Sequence, residues 1–144
     1  MPKVLGFSHS GEDAAVDDTR APTGRELEIL KYLWDHGPSN VRTVYRHLLD
    51  QQPEGKDLAY NTVQTLLRLM ETKALVRSRA EGRAFVYSPL YSREQTAARF
   101  LDRVFDGAAS QLVASLLEAE RVPPAELDRM QALIAEARRK RTGR

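Results

Sequence analysis

Between Thr23 and Leu90 the apolar positions follow two different periods. Leu27, Leu30, Leu33 and Trp34 form a helical stripe behind "TGRE" (Thr23–Glu26), a capping-box pattern in which Thr and Glu satisfy orphan amides reciprocally. Gly37-Pro38 stops that helix. Ser39 or Asn40 caps the next, with Val41, Val44, Tyr45 and Leu48 pointing inward, and a polar loop follows over Asp50–Asp57. From Leu58 to Val76, Val63, Leu66, Leu67 and Met70 fall at i, i+3, i+4 and i+7, which predicts a third helix with one buried face. The period then shortens. Leu75–Leu90 holds two β-favouring runs around Glu81-Gly82, the pattern of a hairpin. After Pro89 helical stripes return: Phe100, Leu101, Val104 and Phe105; then Leu112, Val113, Leu116 and Leu117; then Leu127, Met130, Leu133, Ile134 and Ala137 behind Pro123-Pro124.

Three helices followed by a hairpin is the order of a winged helix-turn-helix, whose third helix enters the major groove while the hairpin lies along the phosphate backbone. The expected fold is therefore mainly α with a small β-hairpin. Residues 1–22 are expected as a flexible tail, 23–90 as the winged-helix DNA-binding domain, and 91–144 as a helical dimerisation domain. Three amphipathic helices this short lack the volume to bury their stripes against one another. A second copy is the natural cover, through Phe100, Leu101, Val104, Phe105, Leu112, Val113, Leu116, Leu117, Leu127, Met130, Leu133 and Ile134. The other reading, that these helices fold back on the winged domain of their own chain, stays open.

The third helix has an outer face that changes the picture. Asn61, Gln64, Thr65 and Arg68 all donate hydrogen bonds and none is acidic. Base edges and phosphates present many acceptors, and a carboxylate there would meet phosphate charge. Asn61, Thr62, Gln64, Thr65 and Arg68 are thus candidates for direct contact: Asn and Gln can pair with adenine, Arg with guanine or phosphate, and the Thr methyl with thymine. Tyr60 can bond a phosphate or pack on the second helix. Asn40, Arg42 and Thr43 can grip backbone phosphates from the start of the second helix, or simply cap it, the role left to Ser39. Arg77, Arg79 and Arg83 on the wing would add salt-sensitive affinity, unless they pair with Glu81.

Composition adds limits more than direction. The chain has 144 residues, 42% hydrophobic and 29% charged, as in an ordinary globular protein. Net charge is +2, split as −2 over 1–22 and +2 over each of 23–90 and 91–144, too weak a total to indicate nucleic acid by itself. There is no cysteine, which excludes disulfides, thiolate metal sites and a cysteine nucleophile. His9, His36 and His47 have no ligand spacing, so no metal or cofactor is expected. No Gly-rich phosphate loop, HExxH or GxSxG is present, which argues against an enzyme. No apolar run reaches bilayer length and no leader pattern opens the chain, so a cytoplasmic protein is expected. Two alternatives to a repressor remain: a winged-helix regulator sensing a small molecule through its helical domain, and a winged-helix protein-interaction module.

The segments "ELEILKYLWDHGPSNVRTVYRHL", "LAYNTVQTLLRLMETKALV" and "EGRAFVYSPLYSREQ", at these spacings, resemble the BlaI/MecI/CopY (penicillinase repressor) family over about Thr23–Glu120, and more loosely to Arg139. Trp34…Gly37-Pro38, Ala59-Tyr60-x-Thr62-Val63 and Arg83-x-Phe85-x-Tyr87 are distinctive in combination. The resemblance implies a homodimeric repressor on dyad-symmetric double-stranded DNA operators, often of β-lactam-resistance or metal-homeostasis genes. In the β-lactam branch it implies a membrane sensor-protease as partner, directly or through a downstream protease, and cleavage in the C-terminal domain. The family's Asn-Phe scissile bond aligns with Ser115-Leu116, which does not match it. The copper branch's cysteine cluster is absent. Two further departures fall at the third helix: Arg68-Leu69-Met70 in place of a later Arg-Leu, and Lys73-Ala74 in place of Lys-Gly. Moving an arginine by one position rotates it about 100° around the helix.

Overall fold

The structure is a computed structural model describing residues 22–52 and 57–143. The tail expected over 1–22 falls, up to residue 21, outside the described residues, as do positions 53–56 of the expected loop. The chain divides into two compact units, one ending at Gln95 and the other beginning at Thr96.

In the first unit, α1 (Gly24–His36), β1 (Ser39–Asn40), α2 (Val41–Gln51), α3 (Tyr60–Thr72), β2 (Val76–Glu81) and β3 (Ala84–Pro89) follow in order. The strands form one antiparallel sheet in the order β1-β3-β2. This is a winged helix-turn-helix. The expected capping box is present at α1: Glu26 N–H donates to Thr23 Oγ1 and Thr23 N–H donates to Glu26 Oε1 at 2.9 Å. Gly37, at φ 87°, ends the helix with its N–H on the Leu33 carbonyl, in a backbone region where a side chain is strained. Apolar side chains from α1 (Ile29, Leu30, Leu33), α2 (Val44, Leu48), α3 (Val63, Leu67, Met70) and the sheet (Val76, Tyr87) make one core.

Three details differ from the pattern in the sequence. The buried stripe of α1 runs through Glu26, Ile29, Leu30 and Leu33, whereas Leu27 is exposed and Trp34 only half-buried. Glu26 can take an inward position because Lys73 Nζ donates to both of its carboxylate oxygens, at 3.0 and 3.1 Å. The third helix stops at Thr72 instead of reaching Val76, because Ala74 turns left-handed at φ 64° and Val76 already belongs to β2. Finally, α2 is capped by Asn40, whose Oδ1 accepts from Thr43 N–H at 2.9 Å. Ser39 does not cap: its hydroxyl donates to the Gly37 carbonyl, and the residue pairs with Tyr87 in β1.

The hairpin is where the sequence pattern places it, with Gly82 at φ 64° in the two-residue turn. Its register pairs Ser78 with Tyr87 and Ala80 with Phe85, so these four side chains share one face of the sheet.

The helices α4 (Arg93–Phe105), α5 (Ala109–Glu118) and α6 (Pro124–Thr142) carry the three later stripes. None of the three buries a single side chain. Phe100, Val104, Leu116, Leu117, Leu127, Leu133 and Ile134 are all exposed, with Leu133 at 60% and Ile134 at 55%. Leu101, Phe105, Leu112, Val113 and Met130 are half-buried. Among the described residues no helix is long and apolar enough to cross a membrane.

Candidate nucleic-acid interface

The start of α2, the outer face of α3 and the wing enclose a groove of about 460 Å³. Asn40 and Arg42 enter it from the first turn of α2, which the Asn40 cap fixes beside β1. Tyr60, Gln64, Arg68 and Glu71 line its α3 wall, as successive turns of one helix must when spaced three or four residues apart. Ser78, Phe85 and Tyr87 line the sheet wall, and Arg83 joins them from the turn.

Electrostatically the groove is a cation cluster with one acid in it. Among the described residues, Arg42, Arg68 and Arg83 have no carboxylate within ion-pair distance. Arg42 instead lies over the Tyr60 ring, its guanidinium carbon 5.9 Å from the centroid. Tyr60 in turn meets Tyr45 edge-on at 5.4 Å, so it both packs on α2 and lines the groove. The acid is Glu71, whose Oε2 accepts a 2.8 Å hydrogen bond from the Ser78 hydroxyl and thereby ties α3 to the wing. Burial, and next the Glu71 charge, push the Tyr87 phenol above its ordinary pKa of 10.0, with Arg68 pulling the other way.

The structure thus gathers Asn40, Arg42, Tyr60, Gln64, Arg68 and Arg83 from the DNA-contact candidates into one groove. Asn61, Thr62 and Thr65 lie outside it on the exposed surface of α3, and Thr43 is exposed on α2. Arg77 and Arg79 do share a face, but the register puts them on the side of the hairpin opposite Ser78 and Tyr87. Arg79 is also paired with Glu81 at 3.1 Å. Glu71, Ser78, Phe85 and Tyr87 line the groove without being among the contact candidates expected from the sequence, and Glu71 puts an acid beside a face expected to be acid-free. Glu71 lies three residues past Arg68 and seven past Gln64, so extending the helical face by one turn would have found it. Ser115 and Leu116 are both exposed, within α5. His36 and His47 lie 6.4 Å apart as ring centroids, with the Tyr32 ring stacked on His36 at 4.2 Å and tilted against His47 at 4.4 Å. No cluster of three or more His, Cys, Asp or Glu suited to a metal ion occurs among the described residues.

Comparison with known proteins gives consistent likenesses. The family described as penicillinase repressor matches residues 22–136. The penicillinase repressor of Bacillus licheniformis is 27% identical over 115 residues, spanning 77% of this chain and 87% of that protein. The transcriptional regulator BlaI of Mycobacterium tuberculosis is 30% identical over 115 residues, spanning 77% of this chain and 80% of the relative. Among solved structures, the DNA-binding domain of the repressor BlaI in solution is 27% identical with a TM-score of 0.46, covering 54% of this chain and 89% of the other.

Proposed function

The chain belongs to the penicillinase repressor family, and on that footing we propose that it represses transcription as a homodimer occupying dyad-symmetric operators. The observation that carries this reading is the groove. Arg42, Arg68 and Arg83 converge on it from three different elements without a carboxylate partner among the described residues. Guanidinium groups repel one another, so gathering them unpaired costs free energy that a polyanionic ligand recovers. Asn61, Thr62, Thr65 and Gln64 then supply donors for base edges, with Arg68 at the boundary between base and phosphate. Arg77 and Arg79 serve at most as distant cations.

The dimer is supported by the second unit, where apolar stripes over α4, α5 and α6 bury no side chain. A two-fold partner covering them gives the DNA two copies of the groove related by a dyad. In this reading the regulated genes are those of β-lactam resistance or a related stress. Induction by a sensor-protease at Ser115–Leu116 requires α5 to unwind locally, because the bond lies within that helix.

The test is footprinting of the purified full chain on its own upstream intergenic duplex and on a scrambled duplex, across a salt series. A two-fold symmetric footprint with strong sequence preference is expected. Arg42→Ala, Arg68→Ala and Arg83→Ala are each expected to lower the slope of log K against log salt by about one, the signature of one lost phosphate contact. Arg77→Ala should lower it by clearly less. Weak, equal and salt-labile binding to both duplexes overturns the reading.

A further inference from the structure

Phe85 is 56% exposed, although Tyr87 two residues on is buried in the core at 5%. Both side chains stand on the same face of β3 and both line the groove. A single exposed apolar side chain is unremarked on most proteins, and Leu27, Leu49 and Leu69 of the same unit are of that kind. Phe85 differs in its setting. It occupies the concave groove itself, next to the turn that carries Arg83 and across from Arg42 and Arg68. The groove therefore presents a flat apolar surface flanked by guanidinium groups, an arrangement that matches an anionic chain whose charges are separated by apolar rings.

We infer that Phe85 is a DNA-contact residue that packs against the deoxyribose edge of the backbone, between phosphates held by the groove arginines. This rests on the reading of the groove as the DNA interface and adds an apolar term to it. The match is one of charge and shape together: deoxyribose is the uncharged, apolar stretch between successive phosphates, and an aromatic face is the side chain that covers it best. Sugar is the same in every nucleotide, so the contact contributes affinity without sequence preference. It also displaces no counterion, so it contributes without salt dependence. These two properties separate it from every arginine in the groove.

The experiment compares the full chain with Phe85→Ala and Phe85→Leu on the upstream intergenic duplex and the scrambled duplex, over the same salt series. Phe85→Ala is expected to weaken binding to both by about three- to tenfold, the range for covering the half of one aromatic side chain that is exposed. The salt slope should stay that of the parent, and Phe85→Leu should recover part of the loss. Melting temperatures should be unchanged, since the side chain lies outside the core. Phe85→Trp keeps the bulk and adds a reporter, whose emission above the Trp34 background should shift when the duplex saturates the protein. Unaltered affinity of Phe85→Ala, a loss that comes with a shallower salt slope, or an unmoved Phe85→Trp emission each overturns the inference. If the parent chain gives no footprint at all, the failure belongs to the reading of the groove; a parent footprint with indifferent Phe85 variants sinks this inference alone.

Discussion

Ala74 occupies a left-handed conformation, φ 64°, directly after Lys73, the C-cap of α3. The Leu75 N–H reaches the Met70 carbonyl at 2.9 Å and the Ala74 N–H reaches the Glu71 carbonyl at 3.0 Å, the two bonds of a Schellman motif. That motif wants glycine at this position, because an L-residue places its Cβ against the following carbonyl. Ala74→Gly is therefore expected to stabilise the protein by roughly 1 kcal/mol, read as a rise in the thermal midpoint. Glu71, three residues upstream, bears on the proposed binding instead. Its carboxylate lines the same groove as the three arginines, so on the proposed function Glu71→Gln should tighten binding to any duplex several-fold while its amide oxygen still accepts from Ser78. Tyr87 adds a pH dependence. Its phenol has a folded pKa raised above 10.0, by burial first and the Glu71 charge second. Below pH 10.0 the phenol is protonated in both states and the stabilisation is complete; as pH rises through the raised folded value it is lost, because the unfolded chain ionises first. Melts on both sides of pH 10.0 should show this alkaline loss in the parent and a reduced one in Tyr87→Phe.

At the scale of elements, the ion pair between Glu26 and Lys73 joins the first turn of α1 to the C-cap of α3, so α3 is held at its far end by charge as well as by packing. The two partners are unequally buried, with side-chain exposures of 2% and 25%. Lys73→Met strands a carboxylate away from water and is expected to cost about 3 kcal/mol. Glu26→Gln keeps an oxygen for the Thr23 N–H and leaves a lysine that water can reach, so about 1 kcal/mol is expected. Denaturant unfolding of the two variants measures the asymmetry. This pair also shows where sequence reading fails. Helices, caps and the hairpin were legible because each is encoded by neighbours: Thr23 with Glu26, Gly37 after Leu33, Gly82 between two β-rich runs. Glu26 with Lys73 is a contact between residues 47 apart, and nothing local marks a buried acid. β1 is two residues long, too short for any period, and its pairing with β3 alone defines it. The wing arginines were legible as cations but not as to face. The parity that sends Arg77 and Arg79 away from Ser78 and Tyr87 is set by the register, and only Arg83 in the turn escapes it.

For the whole molecule, the two units obey different physics. The winged unit has a closed core drawn from all three helices and the sheet, and its stability belongs to the single chain. The second unit has stripes but no interior. Leu133→Asp together with Ile134→Asp places charge on the stripe of α6. Light scattering is expected to show a monomer, and the footprint to weaken to single half-sites, while the winged unit keeps its melting behaviour. The stripes themselves were plain in the sequence, and the shortness of the helices already argued that the unit cannot cover them itself; what lies against them was not legible, because periodicity tells only which side of a helix is apolar. That missing interior makes the state of this half of the molecule a function of its abundance. Its melting midpoint should rise with protein concentration while that of the winged unit stays fixed, by the mass action that governs any fold completed by its own copy. Dilution after cell growth, with no bond cut and no ligand bound, would then empty the operator, because the dimer available to it falls as the square of the monomer concentration.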